Sequence, residues 1–238
     1  MASRPQKNPG GDPLLDPVRN ALNSVHAHFA IGRAPVRRYP ADVAPFAVID
    51  DISEPTLARL EALLAPGEQV YIFTEPPKEM KGLSAAPPLH IFQMIAPDEP
   101  VLEADEKEGR PILMTSNNAS EMFDLISLAF PGFYQPRTYE MGTYYGIRVE
   151  GKLVAMAGER LCMTGYREIS GVCTHPAHTG KGYARTLIIR VMQDHAVAGV
   201  KSFLHVGKAN TRAVTLYERM KFRVLRSIPL WPISRFGL

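Results

Sequence analysis

Apolar residues recur along the chain with two spacings, one typical of helices and one of strands. In the first part of the chain, residues 15–29 and 56–64 follow the helical spacing. Strands are predicted at three further segments: 43–49, 69–73 and 89–95. This first region is therefore expected to be α/β, and it contains no chemical motif.

The pattern is clearer after residue 110. Helices are predicted over 120–130 and 182–198, and a last helix is expected to begin after an Asn210 cap. Strands are predicted at five segments: 112–115, 143–149, 153–163, 167–174 and 200–206. Tight turns are expected at Glu150-Gly151 and Thr164-Gly165. The predicted order is strand, helix, three antiparallel strands, helix, strand, helix, strand.

An acidic segment poor in bulky apolar residues, DEPVLEADEKEGR, separates the two regions. It predicts a division into four parts: a flexible N-terminus at 1–13, an α/β domain at 14–96, a linker at 97–110 and a second domain at 111–238.

Composition narrows the functional classes. Apolar residues make up 45% and charged residues 21% of 238 residues, which is typical of a globular protein. The net charge of +3 comes without a run of Lys or Arg, so nucleic acid is not an expected partner. Two cysteines allow no disulfide framework, and no leader or long apolar run is found. We therefore expect a cytoplasmic protein with no membrane partner.

The most informative segment is Thr179-Gly180-Lys181-Gly182-Tyr183-Ala184, between a predicted strand and a predicted helix. The first N–H groups of a helix have no partner within it, so they attract anions such as a pyrophosphate. Two glycines let phosphate oxygens approach the backbone. The alternative is a simple glycine-containing turn. A dinucleotide fingerprint fails at Arg185, and a P-loop fails because Gly182 follows Gly180-Lys181.

Two segments, ISGVCTHPAHTGKGYARTLI and NTRAVTLYERMKF, resemble the central motifs of the GNAT superfamily of N-acetyltransferases. The resemblance covers residues 110–238 and implies a mixed, mostly antiparallel sheet flanked by helices, preceded here by a smaller degenerate α/β domain. The stretch GIRVEGKLVAMAGERL is similar to the glycine N-acyltransferase-like branch.

The resemblance implies acetyl-CoA as cosubstrate, with its pyrophosphate on the Thr179–Ala184 loop and its pantetheine along a strand. The implied cofactor-binding residues are Val172, Cys173, Thr174, Thr179, Gly180, Lys181, Gly182, Tyr183, Ala184 and Asn210. Thr179 departs from the family, which usually has Arg or Gln there. That departure puts a side-chain contact to phosphate in doubt, but not the backbone contacts.

Acyl transfer to an amine needs a base, a stabilised oxyanion and an acid. The resemblance implies a catalytic base at Glu168, eleven residues before Thr179; the alternative is a solvated strand residue beside Arg167. Glu159 is the competing base, unless Arg160 makes it structural. The resemblance implies that Tyr217 protonates the thiolate, where the alternative is a core tyrosine. The N–H of Val172 or Cys173 at a bulge is the expected oxyanion donor.

Other chemistries fit the sequence less well. Cys173, His175 and His178 have a spacing that a metal site uses, but a fourth ligand is missing, so no metal is predicted. Cys173 is not expected to be a nucleophile, since no orienting group is evident. Direct transfer in a ternary complex is simpler.

The acceptor is expected opposite the loop, near residues 131–142. Phe133, Tyr134, Arg137 and Tyr139 would form aromatic walls with one positive group, unless the segment is only a surface connector. A small-molecule amine or amino acid is the expected partner. Acetylation of peptide or protein N-termini and non-catalytic acyl-CoA binding are the alternatives, and the first region is a candidate dimerisation surface for a homodimer.

Overall fold

The structure, a computed structural model, describes residues 12–99 and 109–237. The predicted flexible N-terminus lies almost wholly outside the described residues, as do residues 100–108 of the predicted acidic linker. The predicted linker and the domain division stay predictions.

The N-terminal half contains short elements. Its helices are α1 (Pro17–Leu22) and α2 (Glu54–Ala62), with 3-10 turns at Pro13–Leu15 and Ala27–Phe29. Its strands are β1 (Ile31–Arg33), β2 (Val36–Arg38), β3 (Ala47–Ile49), β4 (Gln69–Ile72), β5 (Leu83–Ala85) and β6 (Leu89–Ile95).

The single helix expected over 15–29 is wrong, because the chain turns after α1. His26 is buried there and bonds through its two ring nitrogens to the Tyr39 hydroxyl at 2.9 Å and the Met141 carbonyl at 2.8 Å. The strand expected over 43–49 is confirmed only at its end, in β3. Strands β1, β2 and β5 were not predicted, since three residues are too few to show a period.

The C-terminal half agrees with its predicted order. Its helices are α3 (Ala119–Ala129), α4 (Tyr183–Val197) and α5 (Thr211–Arg219). Its strands are β7 (Ile112–Leu113), β8 (Tyr144–Val149), β9 (Lys152–Met163), β10 (Tyr166–Thr174), β11 (Lys201–Gly207) and β12 (Arg223–Arg235). The turn between β8 and β9 uses Glu150 and Gly151, both with positive φ, as a tight hairpin requires.

In the described residues the strands form a small sheet, β1-β2-β3, and a large one in the order β4-β12-β6-β11-β10-β9-β8-β7, with β5 beside β12. Strands β10 and β11 are parallel, and the other strand pairs of the large sheet are antiparallel. The predicted α/β class with a mostly antiparallel, helix-flanked sheet is confirmed. The N-terminal half nevertheless contributes β6 to the middle of the sheet, between β11 and β12.

Two apolar clusters cover the faces of the large sheet. On one face α4 and α5 pack through residues such as Leu187, Val191 and Tyr217. On the other, α1 and Phe46 from the N-terminal half pack against Leu161 and Phe203. Each fully buried side chain of this size contributes roughly 1.5–3 kcal/mol. The N-terminal half therefore covers one face of the sheet to which the two GNAT-like segments contribute.

We expect residues 111–238 not to fold on their own. Without β6, strands β11 and β12 lose the partner that lies between them, and two exposed strand edges favour aggregation. Size-exclusion chromatography and far-UV circular dichroism of this fragment, beside the full chain, test the expectation. A monomeric fragment with cooperative unfolding would contradict it.

Within the described ranges, no helix combines the length and the apolar character needed to cross a membrane.

Candidate active site

A gap opens in the large sheet between β10 and β11. The two strands pair from Tyr166–Lys201 to Glu168–Phe203, and the pairing ends there although both strands continue. Strand β10 also bulges against β9 between Ser170 and Cys173. Gly171 has φ +61°, and a Cβ on it would lie 2.9 Å from the Tyr144 ring, so this bulge needs glycine. The backbone near Val172 is thereby released from the regular ladder.

The predicted anion-binding loop follows β10. Gly180 and Gly182 have φ of +80° and +78°, and Gly182 is the N-cap of α4. A Cβ on Gly180 would meet no atom within 4 Å, so the loop surface is open there. The Thr179 hydroxyl donates to the Pro176 carbonyl at 3.3 Å. The loop therefore presents the N-terminal end of a 15-residue helix to any anion that enters.

A single cavity of about 800 Å³ joins the loop to the gap between the strands. All ten residues predicted to bind cofactor line it, and so does Tyr217. Asn210 caps α5 as expected, accepting from the Ala213 N–H at 3.1 Å. The structure thus brings the two sequence motifs to one cavity, and the binding roles themselves stay predictions.

Glu168 lies behind the cavity wall rather than in it. Its carboxylate is completely buried and accepts from Arg160 Nε at 3.0 Å, Arg160 Nη2 at 2.7 Å and the Leu161 N–H at 3.2 Å. Nδ1 of His205 lies 2.8 Å from Glu168 Oε1. Burial opposes ionisation, yet Arg160 and His205 outweigh it and hold the pKa of Glu168 well below its usual range. This arrangement disfavours Glu168 as a free base, and its catalytic role stays a prediction.

The tautomer of His205 follows from its neighbours. Gln93 Nε2 donates to the Leu14 carbonyl at 3.0 Å, which identifies it as the amide nitrogen, and it lies 3.0 Å from His205 Nε2. His205 Nε2 therefore accepts, and its Nδ1–H donates to Glu168. His205 is among the residues that line the cavity, so it lies between the buried carboxylate and the space where a substrate would lie.

Glu159 lies away from the cavity. It accepts from the Thr143 N–H at 2.7 Å and lies 3.0 Å from His195 Nε2 under α4. Burial raises its pKa, but the bond to His195 and its other partners lower it below the usual value. Arg167 bonds to Glu159 at 3.3 Å, whereas Arg160 bonds to Glu168. The expectation that Arg160 is the partner of Glu159 was wrong, because consecutive strand residues face opposite sides of a sheet. The alternative of a solvated Glu168 beside Arg167 was wrong as well, since Glu168 is completely buried.

Tyr217 is buried on α5 and faces the cavity. Burial raises the pKa of its phenol, and the negative charge of Glu168 raises it further. The hydroxyl therefore stays protonated, as a general acid must.

The two cysteines are free and buried, and burial raises the pKa of each to about 12. Such thiols are poor nucleophiles. The His175 and His178 rings are 5.6 Å apart. Among residues 12–99 and 109–237, no group of three or more His, Cys, Asp and Glu side chains could hold a metal ion.

The expected acceptor segment contributes only partly. Phe133 and Tyr134 line the cavity, but Arg137 lies outside it, bonded to Glu140 and Asp42. Tyr139 packs against the apolar cluster around α3. The residues that sequence reasoning missed at this end include Phe46, Phe73, Arg160 and His205. No local pattern marks them, since they come from four separate strands or loops.

The comparisons with known proteins agree with this geometry. The FR47-like protein family model matches residues 144–230. A solved protein of the GNAT family from Novosphingobium aromaticivorans has 30% identity and a TM-score of 0.84, covering 94% of this chain and 99% of its own. This chain belongs to the GNAT family.

Two further GNAT structures support the fold alone. A GCN5-related N-acetyltransferase from Kribbella flavida has 14% identity and a TM-score of 0.59, covering 92% of this chain and 93% of its own. A GCN5-related N-acetyltransferase-like protein from Streptococcus suis has 11% identity and a TM-score of 0.56, covering 91% and 93%. No curated protein matches the sequence. The similarity to the glycine N-acyltransferase-like branch stays a prediction.

Proposed function

We propose that the protein is an acyl-CoA-dependent N-acetyltransferase that transfers an acetyl group from acetyl-CoA to a primary amine of a small molecule or amino acid. The observation that carries the proposal is the single cavity that joins the glycine loop before α4 to Tyr217 and to the open edge of β10. GNAT acetyltransferases use acyl-CoA donors, and the open glycine loop at one end of this cavity supports such a donor here.

The donor would lie along the loop and the gap. The pyrophosphate would bind the backbone N–H groups at Gly180–Ala184, since the Thr179 side chain is bonded to Pro176. The pantetheine would pair with the edge of β10 at Val172–Thr174, where the bulge leaves the strand irregular. The thioester carbonyl would then face the Val172 N–H, which would stabilise the oxyanion.

The reaction moves two protons. The amine nitrogen attacks the thioester carbon, the C–S bond breaks, and the thiolate takes a proton from the Tyr217 hydroxyl. Because His205 Nε2 faces the buried Gln93, the attacking amine gives its proton to water, and a proton from water restores the Tyr217 hydroxyl. The buried carboxylate of Glu168 holds the His205 ring in place through its Nδ1–H. Glu168 is thus a positioning residue for His205.

Gly180→Ala should weaken acetyl-CoA binding at least 10-fold. The added Cβ projects into the space proposed for the pyrophosphate, and an alanine at φ +80° strains the loop by roughly 1 kcal/mol. Gly165→Ala is the matched control, because Gly165 also has φ +80° with open space around it but lies in the turn before β10, outside the cavity.

Isothermal titration calorimetry with acetyl-CoA, beside thermal unfolding, measures both variants. Equal loss of thermal stability with weakened binding only in Gly180→Ala is the expected result. Equal affinities in the two variants would remove the loop from the donor site.

Thiol release with acetyl-CoA and pooled amines tests the reaction itself. Acetyl-CoA at 100 times its Kd should stabilise the fold by about 2.7 kcal/mol, with CoA release only when an acceptor is present. Stabilisation without release by any amine would favour a non-catalytic acyl-CoA binder. No stabilisation by acetyl-CoA or CoA would refute the proposed donor site.

A further inference from the structure

The charges that line the cavity have one sign. No Asp or Glu is among the lining residues in the described part of the chain. The charged residues that do line it are Arg160, Lys181, Arg185, Arg212 and Arg219. Four of these lie on or beside the loop and α5, where the donor phosphates would bind, and Arg160 lies at the other end. With the donor phosphates bound to those four, no lining carboxylate is left to pair with a second ammonium group of an acceptor.

The end of the cavity away from the loop is apolar and aromatic. The N-terminal half supplies Phe46, Phe73 and Ile91, and the C-terminal half supplies Phe133 and Leu230. The Phe46 and Phe133 rings are stacked, with centroids 6.1 Å apart and planes 11° apart. These walls favour an acceptor with an apolar body.

Arg160 offers one donor group to this apolar end. Its Nε and Nη2 bond to Glu168, and its Cζ lies 4.9 Å from the centre of the Phe46 ring. Within residues 12–99 and 109–237, Nη1 has no hydrogen-bond partner. Glu168 and Phe46 hold the guanidinium in place and Arg160 lines the cavity, so Nη1 is the remaining donor of this group for an anionic oxygen of a ligand.

We infer that the acceptor is a free α-amino acid with an aromatic or branched apolar side chain, which is a narrower class than the proposed function on which this inference rests. Its carboxylate binds Arg160, its side chain lies among Phe46, Phe73 and Phe133, and its amine faces His205 and the thioester. A polyamine lacks the carboxylate and adds positive charge. A peptide N-terminus has an amide in place of the carboxylate.

Acceptor kinetics with the full chain and saturating acetyl-CoA test the inference. The probes are L-phenylalanine, L-phenylalaninamide, glycine and spermidine, with thiol release as the readout. We expect kcat/KM for phenylalanine to exceed that for each of the other three by at least 10-fold. The amide stands for a peptide N-terminus, so an equal or faster rate with the amide overturns the inference, as does an equal or faster rate with spermidine.

Substitution of the apolar wall provides a second readout. Phe73→Ala should lower the ratio of kcat/KM for phenylalanine over glycine about 10-fold and leave thermal stabilisation by acetyl-CoA unchanged. Phe92→Ala is the matched control: Phe92 is also partly buried, but it packs under Lys208 away from the cavity and should leave the ratio unchanged.

Different results would contradict the proposed donor site and the inferred acceptor class. If acetyl-CoA and CoA do not stabilise the protein, the donor site is wrong. If they stabilise it, but phenylalanine neither releases thiol nor binds to the CoA complex in calorimetry, the acceptor class is wrong.

Discussion

Glu168→Gln should lower the free energy of unfolding by about 3–5 kcal/mol, a large part of the 5–15 kcal/mol that stabilises a typical domain. The substitution preserves the shape of the side chain and removes its charge. Arg160, which is almost fully buried, is then left without a counter-ion, and the amide keeps only one of the two oxygens that accept from Arg160, His205 and the Leu161 N–H. Urea denaturation at pH 7, followed by intrinsic fluorescence, measures the loss.

Two control variants show whether the loss of stability is specific to the buried pair of Glu168 and Arg160. Asp98→Ala removes an exposed carboxylate from its ion pair with Lys201 and should cost less than about 1 kcal/mol. The double variant Arg160→Met, Glu168→Leu removes both buried charges and should recover part of the lost stability. A single Glu168→Gln variant as stable as the Asp98→Ala control would mean that the buried pair does not stabilise the fold.

The difference in unfolding free energy between wild type and Glu168→Gln should depend on pH. Since the folded pKa of Glu168 lies below its ordinary value of 4.5, its stabilising contribution is fully present above pH 4.5. That contribution is lost as pH falls through the folded pKa. The difference in stability between wild type and Glu168→Gln should therefore be constant from pH 7 to about pH 5 and shrink below it.

Tyr217→Phe should lower kcat about 100-fold, within the range that general acid catalysis contributes, and change KM for acetyl-CoA little. The phenol faces the cavity, and its raised pKa keeps it protonated at neutral pH. The phenylalanine ring preserves the packing against Phe222, so the fold should be unaffected. Thiol release with an established acceptor, measured from pH 6 to 9, gives both constants.

Tyr166→Phe is the control for this variant. Tyr166 begins β10 and does not line the cavity, so its replacement should leave kcat unchanged. Unchanged turnover of Tyr217→Phe at every pH would show that the phenol does not protonate the thiolate.

Local features of the sequence determined most of the C-terminal half. The elements from α3 to α5 lie within a few residues of their predicted bounds, because each combines a clear apolar period with a stop signal or cap. The loop at Gly180 and the cap at Asn210 were predictable because each depends on one residue type. A positive φ favours glycine, and an unpaired N–H at a helix start favours a side chain that accepts a hydrogen bond.

Only the tertiary structure decided which charges meet. Glu168 and Glu159 look alike in sequence, each beside an arginine, yet one joins Arg160 and His205 and the other joins Arg167 and His195. Side-chain direction along a strand, and the pairing of β9 with β10, determine those partners. A residue-level pattern does not contain this information, because the interacting groups lie on different strands and helices.

The acceptor end is the clearest case of a feature that only the tertiary structure decides. Phe46 and Phe73 belong to a region without a recognisable motif, and they reach the cavity because β6 pairs between β11 and β12 and brings the N-terminal half against the sheet. The sequence determined the local elements and the loop that suits a phosphate group, since these depend on neighbouring residues. Long-range strand pairing decided the walls of the cavity and the buried charge network, since those depend on residues far apart in the chain.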